Sequence, residues 1–107
     1  MTEAIRAELN RIVDTLVGTG IVTKIILFGS YAEGRETPES DIDLCVLTSV
    51  KDRRALDVTV ELRVKLINVQ ESPLDLLAYN QDEFYSYAER PKSFHRNIKE
   101  KGVVLYG

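Results

Sequence analysis

The sequence predicts an α/β domain of the α+β kind, on three observations. A leading segment repeats Ile5, Leu9, Ile12, Val13 and Leu16 at intervals of three and four, the spacing of one helix face. Four short apolar runs follow, each bounded by Gly, Pro or polar turn residues, and most are separated by segments of helical length. The chain has 107 residues, 44% hydrophobic and 29% charged, which is enough for one ordinary core and too little for two. A single domain over 1–107 is therefore expected.

Thr2 is placed to cap the leading helix, and Gly18 and Gly20 stop it. "IVTKIILF", Ile21 to Phe28, is β-branched, apolar and too short for an independent helix, so it reads as a buried strand ending at Gly29. Twelve residues rich in Gly, Glu, Pro and Ser lead to "DIDLCVL", a second strand. Ile42, Leu44 and Val46 share one of its faces; Asp41, Asp43, Cys45 and Leu47 share the other. Strand rise puts the two aspartates roughly 7 Å apart. From Ala55 to Val69 the pattern fits both periods: Val58, Val60, Leu62, Val64 and Leu66 alternate, while Val58, Leu62, Leu66 and Val69 step by four and three. Length and the Arg, Lys and Glu content favour a helix, which also supplies a crossover between strands. "SPLDLLAYN", Ser72 to Asn80, reads as a third strand with one embedded charge, Asp75. Two short helices are expected between Gln81 and Lys101, broken near Arg90-Pro91, with Gly102 as a stop before a last strand, "VVLY".

The net charge of −3 argues against a broad nucleic-acid footprint, because such binding draws on phosphate neutralisation. Lys51, Arg53 and Arg54 read as a solvated helix start. Cys45 stands alone, so neither an intrachain disulfide nor a thiolate metal cluster can form, and a cytoplasmic location fits. The N-terminus mixes acids with bases and lacks an unbroken apolar segment, unlike a signal peptide or a membrane span. His95, the single histidine, has no second histidine for zinc or a relay and reads as a surface residue. Tyr79, Phe84, Tyr85, Tyr87 and Phe94 read as packing residues; Tyr31, inside the loop after the first strand, has a second reading beside a nucleotide.

The embedded aspartates carry the chemistry. Carboxylates placed in a strand without partners cost several kcal/mol each, and two like charges at this spacing raise that cost. A divalent cation offsets it: Asp41, Asp43 and Asp75 supply the hard oxygens that suit Mg²⁺, which also binds phosphate. The competing reading is that they cap a strand or pair with Lys or Arg. Gly29 lets the backbone approach a phosphate, and Ser30 offers a hydroxyl and a helix N-terminal amide.

Gly29-Ser30, ten intervening residues, Asp41-Ile42-Asp43 and a later-strand Asp75 resemble the nucleotidyltransferase superfamily that includes DNA polymerase beta and the aminoglycoside nucleotidyltransferases. The "SDIDL" wording and small size look most like its minimal nucleotidyltransferases (MNT), the antitoxin partners of HEPN proteins. The likeness runs from about Ile21 to the closing "KGVVLYG", and the motif is specific as a set although its pieces are weak. It implies a small mixed sheet with helices packed mainly on one side. It implies that Asp41 and Asp43 hold two Mg²⁺ ions with ATP as substrate, that Asp75 is a third ligand assisting deprotonation of an acceptor hydroxyl, and that Gly29 and Ser30 grip the β- and γ-phosphates. The reaction implied is transfer of AMP from ATP to a tyrosine of a HEPN toxin, on an acceptor surface borrowed from that partner. One departure stands out: Glu33 occupies a place where relatives often carry a basic residue, so Arg35 either takes over or the nucleotide binds more weakly. The alternative functional class is a non-catalytic antitoxin that neutralises a helical partner by covering it.

Overall fold

The computed structural model describes residues 1–107. The elements run α1 (Glu3–Val17), β1 (Val22–Phe28), β2 (Ile42–Thr48), α2 (Ala55–Lys65), β3 (Leu74–Asn80), α3 (Gln81–Ala88), α4 (Phe94–Lys101) and β4 (Val103–Tyr106). The strands form one mixed sheet in the order β3-β2-β1-β4. β1 pairs antiparallel with β2 and with β4, whereas β2 and β3 are parallel. A parallel pair needs a long return connection, and α2 provides it, which resolves the ambiguous segment as a helix ending four residues earlier than its pattern suggested. Thr2 caps α1 by accepting the Ile5 N–H at 3.2 Å, as expected.

The α/β class is the expected one, with a more even distribution of helices than the resemblance implied. α1 and α2 cover the larger core, in which Leu9, Ile12, Leu16, Val58, Leu62 and Leu66 pack on Ile25, Leu27, Ile42, Leu44 and Val46. α3 and α4 lie on the other face, where Phe84 and Ile98 pack on Ile26, Cys45 and Leu47. The reason is the split character of that second face. It begins with Asp41, just before β2, and Asp43 within it, and ends with Cys45 and Leu47, both fully buried. The apolar half requires a cover and receives α3 and α4; the acidic half is left open.

A buried charge missed by the sequence reading fixes the entry to β3. Glu8 in α1 is only 2% exposed. Its carboxylate accepts the backbone N–H groups of Glu71 at 2.6 Å and Ser72 at 2.7 Å, and the Ser72 hydroxyl at 2.6 Å. The signal was present: Glu8 lies three residues after Ile5 and four before Ile12, on the apolar side of the helix. Burial pushes the Glu8 carboxyl up, but the hydrogen bonds from Ser72 and Glu71 and the nearby Arg11 together outweigh it and hold it below its usual value of 4.5.

Glu8→Ala leaves those donors without their acceptor and should lower stability by about 2–3 kcal/mol, measured by urea denaturation. Because the folded-state value is depressed, the contribution of Glu8 is present above pH 4.5 and is lost as pH falls below it. Glu8→Gln should therefore flatten the acid limb of the stability profile; an unchanged limb would show that this clasp contributes nothing there.

Candidate active site

The site begins where β1 ends. Gly29 has φ of 73°, a left-handed conformation that disfavours any side chain. From it the chain folds into a tight turn, with the N–H groups of Ala32 and Glu33 both donating to the Gly29 carbonyl at 3.1 Å and Arg35 N–H to the Ser30 carbonyl at 2.9 Å. No helix follows, contrary to the expected helix N-terminal amide at Ser30: Gly34 turns left-handed again, at φ of 70°, before one helical segment can propagate. Ser30 is half-buried in the turn that follows Gly29.

Asp43 is the centre of the arrangement. Its register partner on β1 is Phe28 and on β3 is Asp75, so the two acids face each other across a parallel pair. Asp41 stands two residues before Asp43, at the exposed mouth of β2. The Gly29 turn presses against the same carboxylate, since a Cβ on Gly29 would lie 2.2 Å from Asp43 Oδ2. Burial first, then the charge and hydrogen bond of Asp75 and the charge of Asp41, push the Asp43 carboxyl up to about 6.

None of the seven salt bridges of the chain involves Asp41, Asp43 or Asp75, so the capping-and-pairing reading of these acids finds no cation to support it. The donor set is all carboxylate oxygen, suited to a hard divalent cation. No three acidic, histidine or cysteine side chains converge into a ready-made coordination sphere. Asp41 and Asp75 are exposed and Asp43 half-buried, forming an acidic shelf whose side chains a cation would have to draw together. The most enclosed hollow in the molecule, about 90 Å³ lined by Thr48, Val50, Ala78 and Asn80, lies at the opposite end of β2 and β3.

Arg35 is exposed on the loop and pairs with Glu33 at 3.3 Å, so the residue that departs from the family pattern carries its own counter-charge. The Met1 ammonium meets Glu36 at 3.2 Å and ties down the same loop. Tyr31 packs against the larger core, on the far side of the sheet from the acids. Phe28, read from sequence only as a strand residue, forms an apolar wall next to Asp43 and meets Phe94 edge-on at 5.8 Å. His95 is not a free surface residue: the rings of Tyr79, Phe84, Tyr87 and Phe94 lie 4.9–5.9 Å from it, and burial, then Arg90, lower its pKa.

Residues 6–105 match the family described as "Nucleotidyltransferase domain". A candidate protein adenylyltransferase of Methanocaldococcus jannaschii is 38% identical over 87 residues, 81% of each chain. A crystallised toxin-antitoxin with AMP-PNP is 25% identical, with 92% of this chain and 72% of that one covered and a TM-score of 0.59. The toxin-antitoxin MntA-HpeT carrying a Tyr→Ala change is 26% identical, with 92% and 71% covered and a TM-score of 0.56. A candidate nucleotidyltransferase from Sulfolobus solfataricus shares the fold at 14% identity, with 98% and 87% covered and a TM-score of 0.61.

Gly29→Ala should cost about 1–2 kcal/mol for the left-handed backbone alone, and should also displace the Asp43 carboxylate, detectable as a changed Asp43 titration by NMR. The raised Asp43 value gives a second expectation. The folded chain holds this proton at pH values where the unfolded chain has released it, so stability without divalent cations should fall as pH rises from about 4 through about 6. Asp43→Asn should remove that slope; a slope that survives would place its origin elsewhere.

Proposed function

The chain belongs to the nucleotidyltransferase domain family and is a nucleotidyltransferase, and on that premise we propose that it transfers AMP from ATP, with Mg²⁺, to a tyrosine hydroxyl of a HEPN-type toxin whose antitoxin it is. One observation carries the reading: three carboxylates without cationic partners line up beside a glycine turn that has no room for a side chain. Nothing within the fold explains that expense of like charge, whereas metal-bound triphosphate does. The adenylyl group and the toxin are supported by the names of the relatives, one a protein adenylyltransferase and others toxin-antitoxin complexes, one of them with AMP-PNP.

Asp41 and Asp43 would hold the ions, two on the family pattern, with Asp75 as the third ligand. Mg²⁺ there would supply charge neutralisation on the phosphate oxygens and on the departing pyrophosphate. The chain does the rest. The bare Gly29 backbone and the Ser30 hydroxyl donate to the β- and γ-phosphates, fixing the α-phosphorus in line with the acceptor. Arg35 adds a positive charge to the phosphates when it exchanges Glu33 for them, an inexpensive exchange because exposed ion pairs contribute about 0–1 kcal/mol. Asp75 accepts the proton as the tyrosine oxygen bonds to the α-phosphorus and the bond to the β-phosphate oxygen breaks, releasing pyrophosphate. The open shelf leaves space for an acceptor presented by another protein. No helix is long and apolar enough to cross a membrane; a reducing cytoplasm suits the buried Cys45 thiol.

The exposed shelf and Glu33 favour one second reading, in which the chain neutralises its partner by covering it without transfer. Labelled ATP, Mg²⁺ and the protein encoded beside this chain distinguish the two. Wild type should label that protein on tyrosine, and Asp75→Asn should reduce the rate about 100- to 10,000-fold, the usual contribution of a positioned base. Equal inhibition of the partner by wild type and by Asp41→Asn/Asp43→Asn, with no label transferred, would leave only the covering role. Independently, Mg²⁺ with ATP should raise the melting point of the wild type and not of that double variant.

A further inference from the structure

The side of α2 that looks away from the sheet carries Leu56, Val60 and Val64, and the turn that continues the helix adds Ile67. They are 65%, 52%, 58% and 69% exposed. Steps of four, four and three align them in one stripe, on roughly the opposite side of the helix from the buried Val58, Leu62 and Leu66. A surface helix ordinarily has one apolar side, and this one has two. The doubled periodicity of the segment in the sequence has its origin here: Val60 and Val64, which made it look like a strand, contribute nothing to the core.

We propose that α2 is the seam of a homodimer, in which two copies pack their α2 helices antiparallel about a two-fold axis passing near Glu61 and Leu62. The stripe is self-complementary under that reversal. Its bulky residues are at the ends and its valines in the middle, so Leu56 meets Ile67 of the second copy and Val60 meets Val64. The rim does not oppose the pairing: Asp57 carries its own counter-charge, Arg54 at 3.1 Å. Glu61 comes close to its own counterpart at the axis, but Arg53 already pairs with it within each copy. The position of the stripe selects the occupant. α2 lies on the α1 side of the sheet, whereas Asp41, Asp43 and Asp75 lie on the other, so an acceptor protein seated on the stripe would sit behind the sheet from the acids. A second copy seated there leaves both acidic shelves facing outward.

Light scattering coupled to size exclusion, over a dilution series of the full chain, should give twice the chain mass and dissociation on dilution. Val60→Asp should weaken association by about tenfold or more, because it places an unpaired charge in the seam, while an unchanged circular dichroism spectrum and melting curve at monomer concentration verify the fold. Val64→Asp should weaken the dimer comparably, because the two-fold sets Val64 against Val60 of the second copy. A monomer at every concentration overturns the proposal. So does a dimer indifferent to Val60→Asp, which would move the seam to another face such as the β4 edge, and so does a monomer that loses its neighbouring protein partner through Val60→Asp.

Discussion

Repulsion between Asp43 and Asp75 is the constraint around which the molecule is arranged. Two carboxylates opposite one another on adjacent parallel strands oppose the pairing that brings them together, and Asp41 adds a third like charge. The pairing is enforced by everything else in the neighbourhood. Leu74, Leu76 and Ala78 of β3 are buried in the larger core beside Ile42, Leu44 and Val46, so a one-residue slip that relieved the acids would expose that whole row. Hydrophobic burial on one face thus sets the register that concentrates charge on the other. In the proposed function, that concentrated charge is what a cation with a bound triphosphate would neutralise.

The element order was legible in the sequence because each element has a strong local signal. Alternation, capping by Thr2 and the glycine stops fall where the structure has its boundaries, to within a few residues. The acids of the candidate site were legible for a different reason: charge inside an apolar strand conflicts with folding, and such conflict is where function is to be sought. Asp41, Asp43 and Asp75 stood out in that way, and Gly29 by its place at the end of an apolar run. What stayed hidden depends on contacts distant in sequence. Nothing local shows that α3 and α4 would cross to the second face, since that follows from the half-acidic, half-apolar composition of a β2 face whose cover comes some forty residues later. His95 likewise looks exposed in "SFHRN", and only the packing of α4 against α3 and the end of β3 places it among four rings.

The same logic applies to α2. Its residues satisfy both a helix and a strand period because two demands are written over each other, one from the core and one from the outer surface. Periodicity reports burial without saying whether the burying partner is the same chain. A segment too apolar for its place in one copy of the fold is therefore informative in its own right.

The Glu8 clasp makes the leading helix a remote determinant of the acidic shelf. Surface connections generally accept added residues with little harm, but the short link before β3 is held at Glu71 and Ser72 from across the molecule. Lengthening it would let the third acid drift along the sheet, so this outwardly unremarkable bend should be among the least tolerant places in the chain for insertion.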